Sequence, residues 1–369
     1  MVVMMIGTLA LYMGANAYIF WRLMQAMGAL PVALRVVFGV LYWIAACGMF
    51  ISFGLRNVAM PEFLHRTLHI VGTSWLLFTL YMVVALLLAD VIHWILPAFH
   101  HGVWYALGVT VAVLVAGYIN YRHLHVEHIT IETEKVIEGG RVRIVAMSDV
   151  HLGRGTTCRD LARYIDVVNS QNPDIVVIVG DLIDNSILPV KRADMCCEFE
   201  RVVARHGIYM AAGNHEYISG IEECRNYLQT TPIQLLSDSI VTPTDGVDIV
   251  CRDDRQNRRR KSLEKLLSNR DMEHFVVVLD HQPNAIQESK KNSVDLHLSG
   301  HTHRGQVFPL NLLTDHLFEQ SHGYRKWGDM HAYVMTGISL WGPPFRIGTR
   351  SELLVVDIVS SMSAEQSGK

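Results

Sequence analysis

The chain has 369 residues, 50% of them hydrophobic and 18% charged, with a formal net charge of −3. Residues 1–121 hold four arginines (Arg22, Arg35, Arg56, Arg66), no lysine and two acids (Glu62, Asp90), so the remainder carries 28 basic and 33 acidic residues, net about −5. A net-negative soluble part argues against broad nucleic-acid binding, which is driven by phosphate neutralisation.

The oily first third breaks into four segments, 1–21, 36–55, 67–89 and 102–121, whose only titratable side chains of consequence are His69 and the flanking charges. Each is near the ~20 residues needed to cross a bilayer core. They read as four transmembrane helices, with Trp43, Trp75, Trp94 and Trp104 as candidate interfacial anchors. The first segment lacks a basic start and a small-residue cleavage site, so it reads as a retained helix. Four spans would put the N-terminus, the 56–66 loop and the large domain on one side. Arg56, Arg66 and Arg122 there, against Arg22 and Arg35 opposite, favour a cytoplasmic large domain. The six cysteines include no C-x-x-C pair, which fits a reducing compartment.

Residues 122–140 read as a His-rich juxtamembrane linker, "RHLHVEH", followed by a first strand. From there the chain alternates strands and helices. "HITIETEKVI" and "GGRVRIVAMSDVH" suggest a hairpin turning at Gly139-Gly140. "CRDLARYIDVVNSQNPD" shows a helical stripe of Leu161, Tyr164, Ile165 and Val168, and "KRADMCCEFERVVARHG" reads as a second helix, with Cys196-Cys197 in its packing. "DIVVIVG", "IYMAAG", "HFVVVLD", "SVDLHLSG", "HAYVMTGISL" and "SELLVVDIV" read as strands, and "GIEECRNYLQT" as a helix. The domain organisation expected is 1–121 transmembrane, 122–140 linker and first strand, 141–360 catalytic, and 361–369 a polar tail.

Polar residues fall where five of these strands end. The five tips carry Asp149 and His151, Asp181, Asn214 with His215 and Glu216, His281, and His301 with His303. In layered α/β folds ligands bind beyond the carboxyl ends of strands. Carboxylate, imidazole and carboxamide with no thiolate suit Mn, Fe, Zn or Mg. Asp149, His151, Asp181, Asn214, His281, His301 and His303 are more ligands than one ion takes. The surplus points to two divalent ions sharing a carboxylate, with a bridging hydroxide as nucleophile and no covalent Ser or Cys.

In order, Asp149-x-His151, Gly180-Asp181, Gly213-Asn214-His215-Glu216, His281 and Gly300-His301-Thr302-His303 resemble the calcineurin-like metallophosphoesterase superfamily over roughly residues 140–360. The segments "MSDVHLG", "HEYISGIEE", "DHQP", "GHTHRGQVFPL" and "WGPPFRIGTRSEL" resemble its membrane-associated YkuE-like phosphodiesterase branch. The resemblance implies an α/β fold, a four-layer α/β/β/α sandwich. It implies Asp149, His151 and His303 on a first metal, Asp181 bridging, and Asn214, His281 and His301 on a second. It makes His215 the group that meets the phosphate and protonates the leaving oxygen, with Glu216 as its orienting partner or a helix cap.

Two further stretches are candidates for substrate contact. The basic run 251–267 includes Arg258 and Arg259 and suits an anionic substrate or an acidic lipid surface. "WGPPFRIGT" offers Trp341 and Arg346 as pocket walls. The whole reads as a multi-pass membrane enzyme, its partners the bilayer and a phosphorylated or lipid-linked substrate, cleaving a phosphodiester or pyrophosphate. The rival readings are a phosphomonoesterase or protein phosphatase, a transporter or sensor, and a non-catalytic metal-binding scaffold. The scarcity of intramembrane charge counts against a transport pathway.

Overall fold

The computed structural model describes residues 2–55, 58 and 60–361, with side chains from Ile6 onward. Arg56 and nearly all of the polar tail expected at 361–369 lie outside the described residues. Two compact units emerge. One is Met1–Ile119 with Gly342–Phe345, and the other is Asn120–Trp341 with Arg346–Lys369.

The first unit is helical: α1 (Val2–Ala26), α2 (Val32–Gly54), α3 (Glu62–Ile95) and α4 (Gly102–Arg122). Among the described residues three of these, α2, α3 and α4, are long and apolar enough to cross a membrane, not four as the sequence suggested. The described part of α1 carries Asn16, Tyr12, Tyr18 and Arg22, which dilute its apolar character. The cytoplasmic placement of the large domain rested on four spans, which these three helices do not supply.

The polar side chains in this unit are spent internally. Asn16 is fully buried, and its Oδ1 accepts from Tyr42 Oη (3.1 Å), Trp75 Nε1 (3.0 Å) and Thr79 Oγ1 (3.3 Å). Trp75 is therefore an internal packing residue and not an interfacial anchor. Arg22 and Tyr18 both meet Asp90. Polar groups paired between helices are what a low-dielectric surrounding demands. The backbones of α2 and α3 touch at Gly48 and Gly72, where a Cβ on Gly72 would lie 2.2 Å from Met49 N.

The second unit contains, among the described residues, strands β1 (Leu124–Thr133), β2 (Arg141–Met147), β3 (Ile175–Val179), β4 (Ile208–Ala211), β5 (Ile233–Leu236), β6 (Ser239–Thr244), β7 (Val247–Cys251), β8 (Phe275–Leu279), β9 (Leu296–Ser299), β10 (Gly323–Trp327), β11 (Met330–Val334) and β12 (Ser351–Ser360). They form two six-stranded mixed sheets, ordered β1-β12-β2-β3-β4-β5 and β10-β11-β9-β8-β7-β6. Period-two alternation builds the layers. Val142, Ile144 and Ala146 join Val177, Ile249, Val277 and Leu298 between the sheets. Val145 and Met147, on the opposite face of β2, meet Leu161, Tyr164, Ile165 and Val168 of helix Cys158–Ser170. The far face of the second sheet packs Val276 and Val278 on Leu263, Leu267 and Ile286. The result is the α/β/β/α sandwich.

The expected hairpin between the first two strands does not form. β12 lies between them, parallel to β1 and antiparallel to β2. Ten β1 residues, including part of the expected linker, pair with β12. The expected helix over 191–207 is instead a short helix, Leu188–Arg192, and a 3-10 turn, Met195–Arg201. Asp194 breaks them apart at φ 43°, while Cys196 and Phe199 are buried in the core and Cys197 is exposed. All six cysteines are free.

One buried group away from the strand tips gives a pH-dependent term. His297 of β9 is fully buried, with Nδ1 2.7 Å from Ser289 Oγ and Nε2 2.8 Å from Ser299 Oγ. Burial pulls its pKa down to about 4, with Arg252 and Arg260 adding to the shift against Asp280 and Glu288. Between about pH 6.5 and 4 the unfolded chain takes up a proton that the folded chain refuses, so this contribution is complete above pH 6.5 and is lost as pH falls. Thermal unfolding between pH 7 and 4.5 is expected to show a destabilisation of about 3 kcal/mol at most from this residue. The same slope measured in His297→Leu should be shallower; an unchanged slope would remove His297 as its source.

Candidate metal centre

Five strand ends converge, three from the first sheet and two from the second. Asp149 and His151 follow β2, Asp181 follows β3, and Asn214 to Glu216 open helix Asn214–Ser219 after β4. His281 follows β8, and His301 and His303 follow β9. The ligand atoms gather into three overlapping groups, each within 4.8 Å: Asp149, His151 and His303; His151, Asp181 and His215; Asp181, His281 and His301. His151 and Asp181 are each shared by two groups.

The backbone is bent to allow this. Asp149, His151, Asp181, His301 and His303 all have φ between 45° and 71°. Left-handed non-glycine residues cost about 1–3 kcal/mol each and cluster where function over-determines the geometry. The loops are laced together. Asp149 N donates to Gly180 O (3.1 Å), His151 N to Asp181 O (3.0 Å), and Gly300 N to His281 O (2.9 Å). His215 N donates to Asp181 Oδ1 (2.8 Å), and His301 N to Asp149 Oδ1 (3.1 Å).

The fit of a cation can be tested at His281. Its Nδ1 lies 2.8 Å from Val179 O, which can only accept, so Nδ1 carries the hydrogen. A neutral ring then turns a bare Nε2 toward Asp181 Oδ2, 3.0 Å away. Lone pair would face lone pair, so the pair requires a proton or a metal ion between them. Nearby separations agree: His151 Nε2 to His303 Nε2 is 3.1 Å and His303 Nε2 to Asp149 Oδ1 is 3.4 Å. Two ligands bonded at about 2.1 Å to one ion stand about 3.0 Å apart on an octahedral edge and about 3.4 Å on a tetrahedral one. Asn214 Oδ1 is buried without a hydrogen-bond partner. The donor set therefore fits divalent cations.

The electrostatics divide the ligands. Burial would raise Asp181, but His281, His151 and His215 hold its carboxyl far below the usual range. Burial raises Asp149. Burial pulls His301 down to about 4, and burial with His151 and Arg346 pulls His303 well below the ordinary histidine value. Neutral His301 and His303 beside an ionised Asp181 suit metal ligation, whereas at His281 and His151 the surrounding carboxylates outweigh burial and push both rings up, as a proton in the place of a cation does.

Chain comparisons bear on this geometry. The calcineurin-like phosphoesterase family pattern matches residues 142–305. An uncharacterized metallophosphoesterase of Aquifex aeolicus is 31% identical over 258 residues, covering 67% of this chain and 97% of that one. The chain belongs to the calcineurin-like metallophosphoesterases. A transmembrane protein with metallophosphoesterase domain from Danio rerio is 33% identical over 266 residues, 67% of this chain and 60% of that one. The metallophosphoesterase YkuE of Bacillus subtilis is 28% identical over 269 residues, 66% and 90% of the two chains. This metallophosphoesterase spans about three-fifths of the length of the Danio rerio protein and of the Helicobacter pylori relatives it also matches. Its family is one of phosphoesterases that use divalent metals, and its apolar helices and transmembrane relatives suggest a membrane protein.

Several side chains differ from their expected placement. Of the two roles expected of Glu216, the structure shows the helix cap. Its carboxylate accepts from Gly213 N (2.7 Å), Ile183 N (2.9 Å) and Asp181 N (3.0 Å), capping its own helix and tying two loops together. Burial, with Asp181, pushes it up to about 7. The residue facing His215 is Asp184, whose Oδ1 lies 3.3 Å from His215 Nδ1 and 3.5 Å from His151 Nδ1. Nothing in "GDLID" marks the second aspartate, which follows no strand and has no histidine beside it.

Arg346 is fully buried and does not wall a pocket. Its Nη1 donates to His303 O (3.1 Å), and its Nη2 to Thr336 O (2.6 Å), Gly337 O (3.1 Å) and Ser339 O (2.5 Å), behind His303. Trp341 is 55% exposed, with its ring centroid 6.4 Å from that of His215. Arg258 and Arg259 are exposed. Arg258 lines a separate cleft, and Arg259 N bonds Asn257 Oδ1 (2.9 Å).

Proposed function

We propose that this metallophosphoesterase is a membrane-anchored, dinuclear hydrolase of phosphodiesters or pyrophosphates, including lipid-linked ones, with residues 1–121 as its membrane part and 141–360 as its catalytic domain. The observation that carries the reading is the run of three ligand groups joined through His151 and Asp181. One ion needs only three or four protein ligands, so a joined set of this size suits two. Asp149, His151 and His303 would hold one ion and Asn214, His281 and His301 the other, with Asp181 between. When bound, divalent ions supply Lewis acidity toward the phosphoryl oxygens and make a nucleophile of water at neutral pH.

The remaining steps belong to the chain. His215 sits at the rim, 8% exposed, and donates a proton to the leaving oxygen. Asp184 positions it, together with His151, as an outer carboxylate on two imidazoles. Trp341 offers an exposed aromatic face beside His215 for the leaving group.

Asp184→Asn is expected to lower kcat about 10–100-fold with both ions retained, because it disturbs orientation without removing a ligand. Metal content beside kcat checks this; loss of the ions would make Asp184 a ligand instead. The reading itself is tested on the detergent-solubilised full chain, stripped with chelator and reloaded with Mn²⁺, Zn²⁺, Mg²⁺ or Fe²⁺. Metal-restored hydrolysis of bis(p-nitrophenyl) phosphate in preference to p-nitrophenyl phosphate is the expected result. Preference for the monoester would overturn the diester assignment, and no turnover with any metal on either ester or on pyrophosphates would overturn the hydrolase.

A further inference from the structure

The loop after β7 carries arginines at 252, 255, 258, 259 and 260. Four of them, Arg252, Arg255, Arg258 and Arg260, line a cleft of about 380 Å³ together with Asn284 and Glu288. Four guanidinium groups thus meet two carboxylates, Glu288 in the lining and Asp280 beneath Arg252 and Arg260.

Arg252 is only 2% exposed. Its Nη1 donates to Glu288 Oε2 (2.7 Å) and Asp280 Oδ2 (3.3 Å), and its Nη2 to Lys261 O (3.1 Å), while its Nε is buried without a partner. Arg260 Nη2 also donates to Asp280 Oδ2 (2.7 Å). Arg255 and Arg258 are exposed, and among the described residues neither side chain has a hydrogen bond or ion pair. The loop's own acids are engaged elsewhere. Asp253 accepts from Tyr217 Oη (2.7 Å) and Asn257 Nδ2 (2.8 Å), and Asp254 from Gln282 Nε2 (2.8 Å). Two fixed arginines at the base, one with an orphaned donor, and two uncommitted arginines at the mouth make a concentrated positive site.

Its position ties it to the candidate metal centre. Gln256, within the loop, donates Nε2 to Asn214 O (3.3 Å), and Asp280 at the base immediately precedes His281.

We propose that this cleft is a second anion site, built to take a phosphate group through the forked donors of Arg255 and Arg258, with Arg252, whose own fork is held by Glu288 and Lys261, as the fixed charge beneath them. The phosphate is either the distal group of an extended substrate whose scissile phosphorus lies at the metal centre, or a free phosphate-class anion. The substrate source rests on the hydrolase reading above; the anion affinity of the cleft does not.

The test compares full-length wild type with Arg255→Ala/Arg258→Ala, whose side chains are exposed and unpaired, so that folding is not at stake. One arm titrates sodium sulfate against sodium chloride at constant ionic strength and reads thermal unfolding. The other arm measures metal-loaded turnover of bis(p-nitrophenyl) phosphate, with one negative charge, and of UDP-glucose, with two.

Saturable stabilisation by sulfate that the double variant loses, with a rise of about tenfold or more in KM for UDP-glucose and less than about twofold change on the diester, identifies a substrate phosphate site. Loss of sulfate stabilisation with UDP-glucose KM unchanged identifies a free anion as the ligand. Equal sulfate response and equal KM in the two proteins overturn the cleft. If wild type hydrolyses neither compound, the diester and pyrophosphate reading fails while the sulfate arm still decides for or against the site.

Discussion

Asp181→Asn is expected to lower turnover by about a thousandfold or more and to reduce the metal content of the purified chain. The substitution keeps shape and removes charge. Asp181 is 2% exposed, its Oδ2 lies 3.0 Å from His281 Nε2, and its Oδ1 accepts from His215 N at 2.8 Å. It is shared by two of the three ligand groups, so its loss weakens both cation positions as well as the seat of His215. An amide nitrogen turned toward His281 would also place a donor where a cation belongs. Turnover and metal analysis on the same sample check this. Full metal content with near-normal turnover would show that Asp181 is neither a ligand nor a shared one.

Gly213→Ala should be nearly as damaging, although it adds only one methyl group. A Cβ there would lie 2.2 Å from Asp181 Oδ1 and 2.6 Å from Asp181 N. The backbone of Gly213 is at φ −105°, which alanine adopts freely, so the damage is steric. Overpacking costs about 1–3 kcal/mol, and here the atom displaced is a candidate ligand oxygen. Activity is expected to fall about a hundredfold or more with only a modest drop in Tm. Gly139→Ala is the control: its φ of +72° strains the backbone, but no atom lies within 4 Å of its Cβ. It should cost stability and leave turnover intact. Equal activity in Gly213→Ala and wild type would show that the loop can retreat from Asp181.

The strand tips were readable because each candidate ligand follows an apolar run, and five such junctions in order are hard to assemble by chance. The sandwich was readable only through the family those tips resemble. β5, β6 and β10 were not recognised, because "IQLL", "SIVTPT" and "GYRKW" are short or polar edge segments without a clean alternation, and β7, "VDIVC", was missed as a five-residue interior strand whose apolar run Asp248 interrupts. The hairpin at Gly139-Gly140 was a local inference defeated by a partner more than 200 residues away. Asp184 was invisible because its importance is spatial: it follows Asp181 by three residues and faces two rings from other loops. Arg346 carried the opposite lesson. An arginine after Pro-Pro looked like a substrate contact, yet its two Nη groups are taken up by four backbone carbonyls.

The pairing of β1 with β12 sets a timetable for biogenesis. Leu124 aligns with Ser351, and every residue of β1 has its partner in the last strand. A ribosome adding about 5–20 residues per second needs roughly 10–45 s to travel from one to the other. Through that interval β1 waits with an open edge, and β2 lacks the neighbour it will have on that side. The sheet that carries Asp149, Asp181 and Asn214 therefore closes after synthesis has reached its far strand, and a nascent chain arrested before Ser351 would present two unpaired strands to proteases and chaperones.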